Sequence, residues 1–137
     1  MAEFDILLKG GVLPDGTQAD IGIRDGRIAA VGRLFGSTAG EVIDATGDLV
    51  SPPFVDPHFH MDATLSLGTP RMYVSGTLLE GIALWGELKQ IQSVDDIVQR
   101  ALAYCDIAVS MGLGAIRSHV DTCDDSLTGV QALLEVR

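Results

Sequence analysis

Two histidines one residue apart, His58 and His60, close the segment Ser51-Pro52-Pro53-Phe54-Val55-Asp56-Pro57-His58-Phe59-His60-Met61-Asp62. Alternate residues of a strand project to the same face, so a His-x-His pair offers two imidazoles to one metal ion. The chemistry this points to is activation of water, because a bound metal lowers the pKa of water from 15.7 to roughly 7 and so supplies a nucleophile at neutral pH. Two ligands are too few for that, since a catalytic zinc takes three from the protein and keeps one position open. The remaining ligands have to come from elsewhere.

Other residues could join such a site. His119 sits in a second apolar run, Gly114-Ala115-Ile116-Arg117-Ser118-His119-Val120-Asp121. It reads as a packing residue or a hydrogen-bonding neighbour of a ligand before it reads as a ligand, and it is a candidate pocket residue. Asp62 either orients one of the histidines or caps the loop that follows them. Asp121, Asp124 and Asp125 look like a second metal site, yet capping of the next helix accounts for at least one of them and is the preferred reading. Trp85 and Met72 could form a lid over a substrate, although apolar residues at helical spacing more often belong to a core.

The elements that must position these groups are legible in the spacing. Asp5 to Lys9, Asp20 to Arg24, Arg27 to Val31 and Glu41 to Asp44 read as short strands of a small antiparallel sheet. Pro14-Asp15-Gly16 supplies turn chemistry, and Asp25-Gly26 suits a type I′ hairpin. Ile21 and Ile23 should share a face that needs a covering layer. From Leu49 to Val55 the run is nearly all apolar, as in a parallel strand covered by helices, with Pro52 and Pro53 tolerated only at its entrance. A long loop follows from Asp62 to Val74, then a helix from Thr77 to about Gln90 opened by Ser75-Gly76. Ser93-Val94-Asp95-Asp96 predicts a cap for a second helix carrying Ile97, Ala101, Leu102, Cys105, Ala108 and Val109 at helical spacing and stopping at Gly112. The run from Gly114 to Asp121 is the second buried strand, and Asp124 or Asp125 should cap a last helix with Leu127, Val130, Leu133 and Leu134.

A sheet followed by β-α-β-α implies parallel pairing with right-handed crossovers. A His-x-His at the carboxyl end of the first such strand lies where a (β/α)8 barrel keeps its active site. That barrel takes ~250 residues, so a chain of 137 reads as the opening third of a larger enzyme. The expected fold class is therefore α/β: the N-terminal part of a TIM-like barrel, incomplete here, preceded by strands of a small β-sandwich. Residues 1–51 would form the sandwich strands and residues 52–137 the first βαβα portion of the barrel.

Composition narrows the partners. A hydrophobic fraction of 47% with 16 glycines fits a tightly turned globular protein rather than a disordered one. The net charge of -10 argues against nucleic acid or an anionic membrane, both of which reward clustered Lys and Arg, and leaves a small neutral or cationic substrate. Cys105 and Cys123 form no Cys-x-x-Cys pair and read as reduced, mostly buried thiols. The N-terminus has no basic region leading into an apolar stretch, and no segment reaches the ~20 apolar residues of a membrane helix, so the cytoplasm is the expected location.

Several of these segments together resemble the amidohydrolase superfamily: Asp25-Gly26-Arg27-Ile28-Ala29-Ala30-Val31-Gly32, then Ile43-Asp44-Ala45-Thr46-Gly47, then the run from Pro53 to Asp62. Ser75-Gly76-Thr77-Leu78-Leu79-Glu80-Gly81-Ile82, Trp85 and Arg117-Ser118-His119-Val120-Asp121 make the likeness strongest to cytosine deaminases of the bacterial, barrel-fold type. Triazine hydrolases share the His-x-His-Met-Asp segment. The resemblance implies an enzyme with one iron or zinc ion that hydrolyses an amino group off a heterocyclic ring and releases ammonia. It implies that His58 and His60 are the first two metal ligands, that Leu78 lines the substrate pocket through its backbone, and that the full-length protein is a homo-oligomer. Two further histidines, an aspartate and a proton-shuttling glutamate in a His-x-x-Glu context would come from later barrel strands, outside residues 1 to 137. The N-terminal strands would complete their sandwich with the chain's far C-terminus. On this reading the chain alone does not carry out the reaction. The alternatives are a triazine-type or cyclic-amide amidohydrolase, or a non-catalytic amidohydrolase fragment. Unpaired strand edges and bare helix faces should also make the chain prone to association.

Overall fold

Glycine-punctuated apolar stretches at the start of the chain form four strands in the computed structural model, which describes residues 2–137. They are β1 (Phe4–Val12), β2 (Gln18–Arg24), β3 (Arg27–Gly32) and β4 (Ala39–Asp44), in sheet order β3-β2-β1-β4. The β2–β3 hairpin turns on Asp25 and Gly26, whose φ values of 53° and 68° are those a type I′ turn requires. The sheet is mixed rather than antiparallel, because β4 runs parallel to β1 with Leu7 opposite Val42. The reason is local. The Thr38 carbonyl accepts the Glu3 and Phe4 amides at 2.9 and 3.0 Å, so β4 sets off from the same end as β1. Asp20 fastens the arrangement, one carboxylate oxygen accepting the Gly10 amide and the other the Leu34 amide.

Leu7, Phe4, Ala19, Ile21 and Ala45 are buried in this unit. Gly22 is required where it stands, since a Cβ there would lie 2.5 Å from the Phe4 ring. A register shift between Gly22 and Ile23 interrupts the expected alternation, and Ile23 is only half-buried while Ile21 is buried.

The chain divides into two compact units, Met1–Pro52 and Pro53–Arg137. The second contains β5 (Phe54–His60), a single 3-10 turn at Met61–Ala63, α1 (Leu78–Lys89), α2 (Val94–Ser110), β6 (Leu113–His119) and α3 (Thr128–Val136). Strands β5 and β6 pair in parallel, with Val55 opposite Ala115 and His60 opposite His119. The strand starts later than the apolar run suggested: it begins after Pro52 and Pro53, which have no amide to give a ladder, and it runs through both histidines. Leu49 instead bridges to Val12. Pro57 falls inside β5, and the register slips there, between Asp56 and Phe59, where a missing donor is tolerated.

The helices follow their caps. Thr77 accepts the Glu80 amide at the head of α1, and Ser93 and Asp96 form a reciprocal capping box at the head of α2. Gly112, at φ +81°, ends α2, and its carbonyl accepts the Phe54 amide at 2.9 Å, which starts β5 beside β6. Ile97, Ala101 and Ala108 are the buried stripe of α2, and Tyr104 stacks on Phe59 with ring centroids 4.3 Å apart. Helix α3 departs from expectation. Its N-cap is Leu127 at φ 52°, with no side-chain cap, and Asp124 accepts the Ser126 amide and hydroxyl instead, closing a turn one step earlier. Cys105 is half-buried and Cys123 exposed, so the second thiol is not a core residue.

Candidate metal centre

The parallel register that sets His60 opposite His119 gathers three imidazoles at the carboxyl end of β5 and β6. Ring centroids are 4.0 Å apart for His58 and His119, 5.6 Å for His58 and His60, and 5.7 Å for His60 and His119. Burial, then the neighbouring His58, Arg117 and His60, hold the His119 pKa below its ordinary value, which favours the neutral ring with a free lone pair. Among the described residues no three His, Cys, Asp or Glu side chains together form a ready metal-binding group. Imidazole nitrogen as a donor suits zinc and iron alike.

Asp62 lies two residues after His60, in the 3-10 turn that follows β5. It is 1% exposed; Oδ2 accepts the Asp121 amide at 2.9 Å, and Oδ1 is 3.9 Å from His60 Nδ1 with no hydrogen-bond partner. Its backbone carbonyl accepts Arg100 Nη2 at 3.1 Å, while Arg100 Nε donates to the Thr64 carbonyl at 3.0 Å. Burial lowers the Arg100 pKa, with Asp96 and Asp62 opposing. Ser118 Oγ accepts the Met61 amide at 3.1 Å, tying the end of β6 to the turn after β5.

Asp121 is not a helix cap. Its Oδ2 accepts the Trp85 indole N–H at 2.6 Å and Lys89 Nζ at 2.8 Å, and Oδ1 accepts the Cys123 amide. Lys89 first, then the Cys123 amide and the Trp85 indole, hold this carboxyl well below the usual carboxylate range. Trp85 is thus an anchor for α1 rather than a free lid residue. Leu78, at the start of α1, is 78% exposed, and Trp85 and Lys89 of the same helix hydrogen-bond the stretch after β6. Arg100 carried no sequence signal, being one polar residue on a helix. The Asp121 partnership could not be read either, since Trp85 and Lys89 lie 36 and 32 positions away.

The sequence profile of the amidohydrolase family matches residues 41–133. N-isopropylammelide isopropyl amidohydrolase of Pseudomonas sp. (strain ADP) is 30% identical over 98% of this chain and 35% of its own length. D-aminoacylase of Alcaligenes xylosoxydans xylosoxydans is 45% identical over 43% of this chain and 13% of its own length. Among solved structures, 5-methylcytosine deaminase from Klebsiella pneumoniae, liganded with phosphonocytosine, superposes with a TM-score of 0.83 at 38% identity, covering 95% of this chain and 32% of that enzyme. The chain therefore spans about a third or less of the length of these relatives. Its mixed α/β fold is close to that of TIM-barrel amidohydrolases. With the profile covering more than half of its residues, the chain belongs to the amidohydrolase family and is similar, over nearly its whole length, to a 5-methylcytosine deaminase.

Proposed function

We propose that this chain supplies part of the active site of a metal-dependent amidohydrolase that removes the amino group from cytosine or a related heterocycle and releases ammonia. The observation that carries the reading is the convergence of His58, His60 and His119 at the carboxyl end of two parallel strands, where barrel enzymes do their chemistry. His58 and His60 would hold one divalent ion, iron or zinc, whose contribution is to make water nucleophilic at neutral pH. His119, whose ring lies beside the other two, would hydrogen-bond substrate or a ligand. Asp62 and Arg100 fix the turn on which His60 ends. The net charge of -10 agrees with a small uncharged ring as substrate and with neither nucleic acid nor a membrane surface as partner. Two histidines are too few ligands for turnover, so on this reading the enzyme would need further ligands and a proton-shuttling carboxylate from other strands.

A second reading, hydrolysis of an alkylamine from a triazine, is favoured by the likeness to N-isopropylammelide isopropyl amidohydrolase over 98% of the chain. One experiment separates the two. The chain is substituted for the aligned third of the Klebsiella pneumoniae 5-methylcytosine deaminase, and the chimaera is assayed for ammonia from cytosine and 5-methylcytosine and for isopropylamine from N-isopropylammelide. Ammonia release that disappears in His58→Ala and His60→Ala is the expected result. Isopropylamine release alone would favour the second reading. Full activity in both histidine variants would sink the metal site.

A further inference from the structure

Asp62 is held more firmly than a loop cap requires. Its side chain is buried, Oδ2 is taken by the Asp121 amide at 2.9 Å, and its carbonyl is gripped by Arg100 at 3.1 Å. Asp121 is itself fastened by Lys89 and Trp85 of α1. The remaining oxygen, Oδ1, is therefore a fixed acceptor, and it is buried with no donor from the protein. Leaving such an acceptor unpaired is costly, and a carboxylate more so than a neutral group. The polar atom beside it is His60 Nδ1 at 3.9 Å, about 1 Å beyond the usual N–H···O length of ~2.9 Å. The His60 side chain is 54% exposed, so its ring is free to close that gap.

We infer that Asp62 is the positioning residue of His60: Oδ1 takes the Nδ1 proton, which fixes the ring's tautomer and leaves Nε2, with its lone pair, as the atom offered to a metal. This rests on the proposed metal-site reading and adds to it the group that sets one ligand's tautomer and orientation. Histidine in water favours the opposite tautomer, with the proton on Nε2, so the protein must supply the bias. Asp62 can do so because Oδ2 is already taken by the Asp121 amide and Oδ1 is left as a buried acceptor 3.9 Å from Nδ1.

Replacement by asparagine makes a directional test. In Asp62→Asn the amide oxygen would keep the Asp121 N–H, which turns the amide NH2 toward His60. A donor facing Nδ1 favours the proton on Nε2, the reverse of the native arrangement. The tautomer is read in the metal-free full chain by long-range 15N–1H correlation of the imidazoles, with the urea-denatured chain as the unbiased reference. The native chain should show Nδ1–H at His60, and Asp62→Asn should show Nε2–H. Co2+ titration followed by its absorption should then weaken about 10–100-fold in the variant. A merely structural role for Asp62 would leave tautomer and Co2+ affinity unchanged in a folded variant, and that result would overturn the inference. If Asp62→Asn fails to fold, the native spectrum decides alone: Nε2–H at His60, as in urea, overturns it, and Nδ1–H supports it. Nδ1–H at His60 in the native chain supports the orienting role whether or not these residues alone bind Co2+, and the metal-site reading is tested separately by the histidine variants of the chimaera.

Discussion

The acidic residues after β6 divide by what they touch. Asp121 joins α1 to the end of the second parallel strand through Lys89, Trp85 and the Cys123 amide, whereas Asp124 closes a turn on Ser126. Because the Asp121 carboxyl is acidified in the folded chain, chiefly by Lys89, the stability it contributes is complete above the unfolded value of ~3.9 and is lost as pH falls toward its folded value. Asp121→Asn is therefore expected to lower stability by about 1.5–3 kcal/mol at neutral pH, with the difference from the native chain shrinking below about pH 4. Urea unfolding followed by the fluorescence of Trp85, the only tryptophan, checks both parts, and an equal deficit at neutral and acidic pH would argue against the ion pair. His58 and His60 were legible as a pair because their spacing is the strand period. His119 was legible as a candidate pocket residue and not as their neighbour, since the distance between His58 and His119 is set by strand pairing and not by sequence separation.

At the scale of elements, caps govern. The Ser93–Asp96 box fixes the start of α2, the helix that carries Arg100 to the Asp62 turn. Ser93→Ala should cost about 1 kcal/mol and speed amide exchange in the first turn of α2. Ahead of α1, Glu80 accepts the Val74 and Ser75 amides and pairs with Arg71, which also pairs with Glu87. Hydrogen bonds from Ser75 first, then from Val74 and Arg71, bring its pKa down to about 2. The clamp is thus intact at neutral pH and loosens only as the solution is acidified below the ordinary glutamate range toward that value. Glu80→Gln is expected to accelerate exchange of the Val74 and Ser75 amides at neutral pH while leaving those of α2 unchanged. Unaltered exchange at both amides would show that Arg71 and the Thr77 cap hold the loop by themselves.

At the scale of the molecule, each unit exposes apolar surface. The four-stranded sheet leaves Ile28, Val31, Val42 and Ile43 exposed, and in the second unit Phe54, Val55, Leu78, Leu79 and Ile82 are exposed. The second sheet has two strands, β5 and β6, so each keeps an unpaired edge. Concentration-dependent association of the isolated chain is the expected outcome in sedimentation velocity, and a monodisperse monomer that unfolds cooperatively would contradict it. Among the described residues no helix is long and apolar enough to cross a membrane, in keeping with exposed faces that are patches rather than spans.

Sequence alone determined the features with a short repeat or a local hydrogen bond: the Asp25-Gly26 hairpin, the Ser93 box, the stop at Gly112 and the His-x-His pair, each encoded within a few neighbouring residues. The family was legible too, because its motifs are contiguous and occur in order. Only the tertiary structure decided that β4 runs parallel to β1, that Pro57 marks a slip in the β5 register, and that Asp62, Asp121, Trp85, Lys89 and Arg100 form one hydrogen-bonded network at the turn that follows His60. These depend on which segments pair and at what register. That choice is made by burial and hydrogen bonding between residues far apart in the chain, and no local spacing records it.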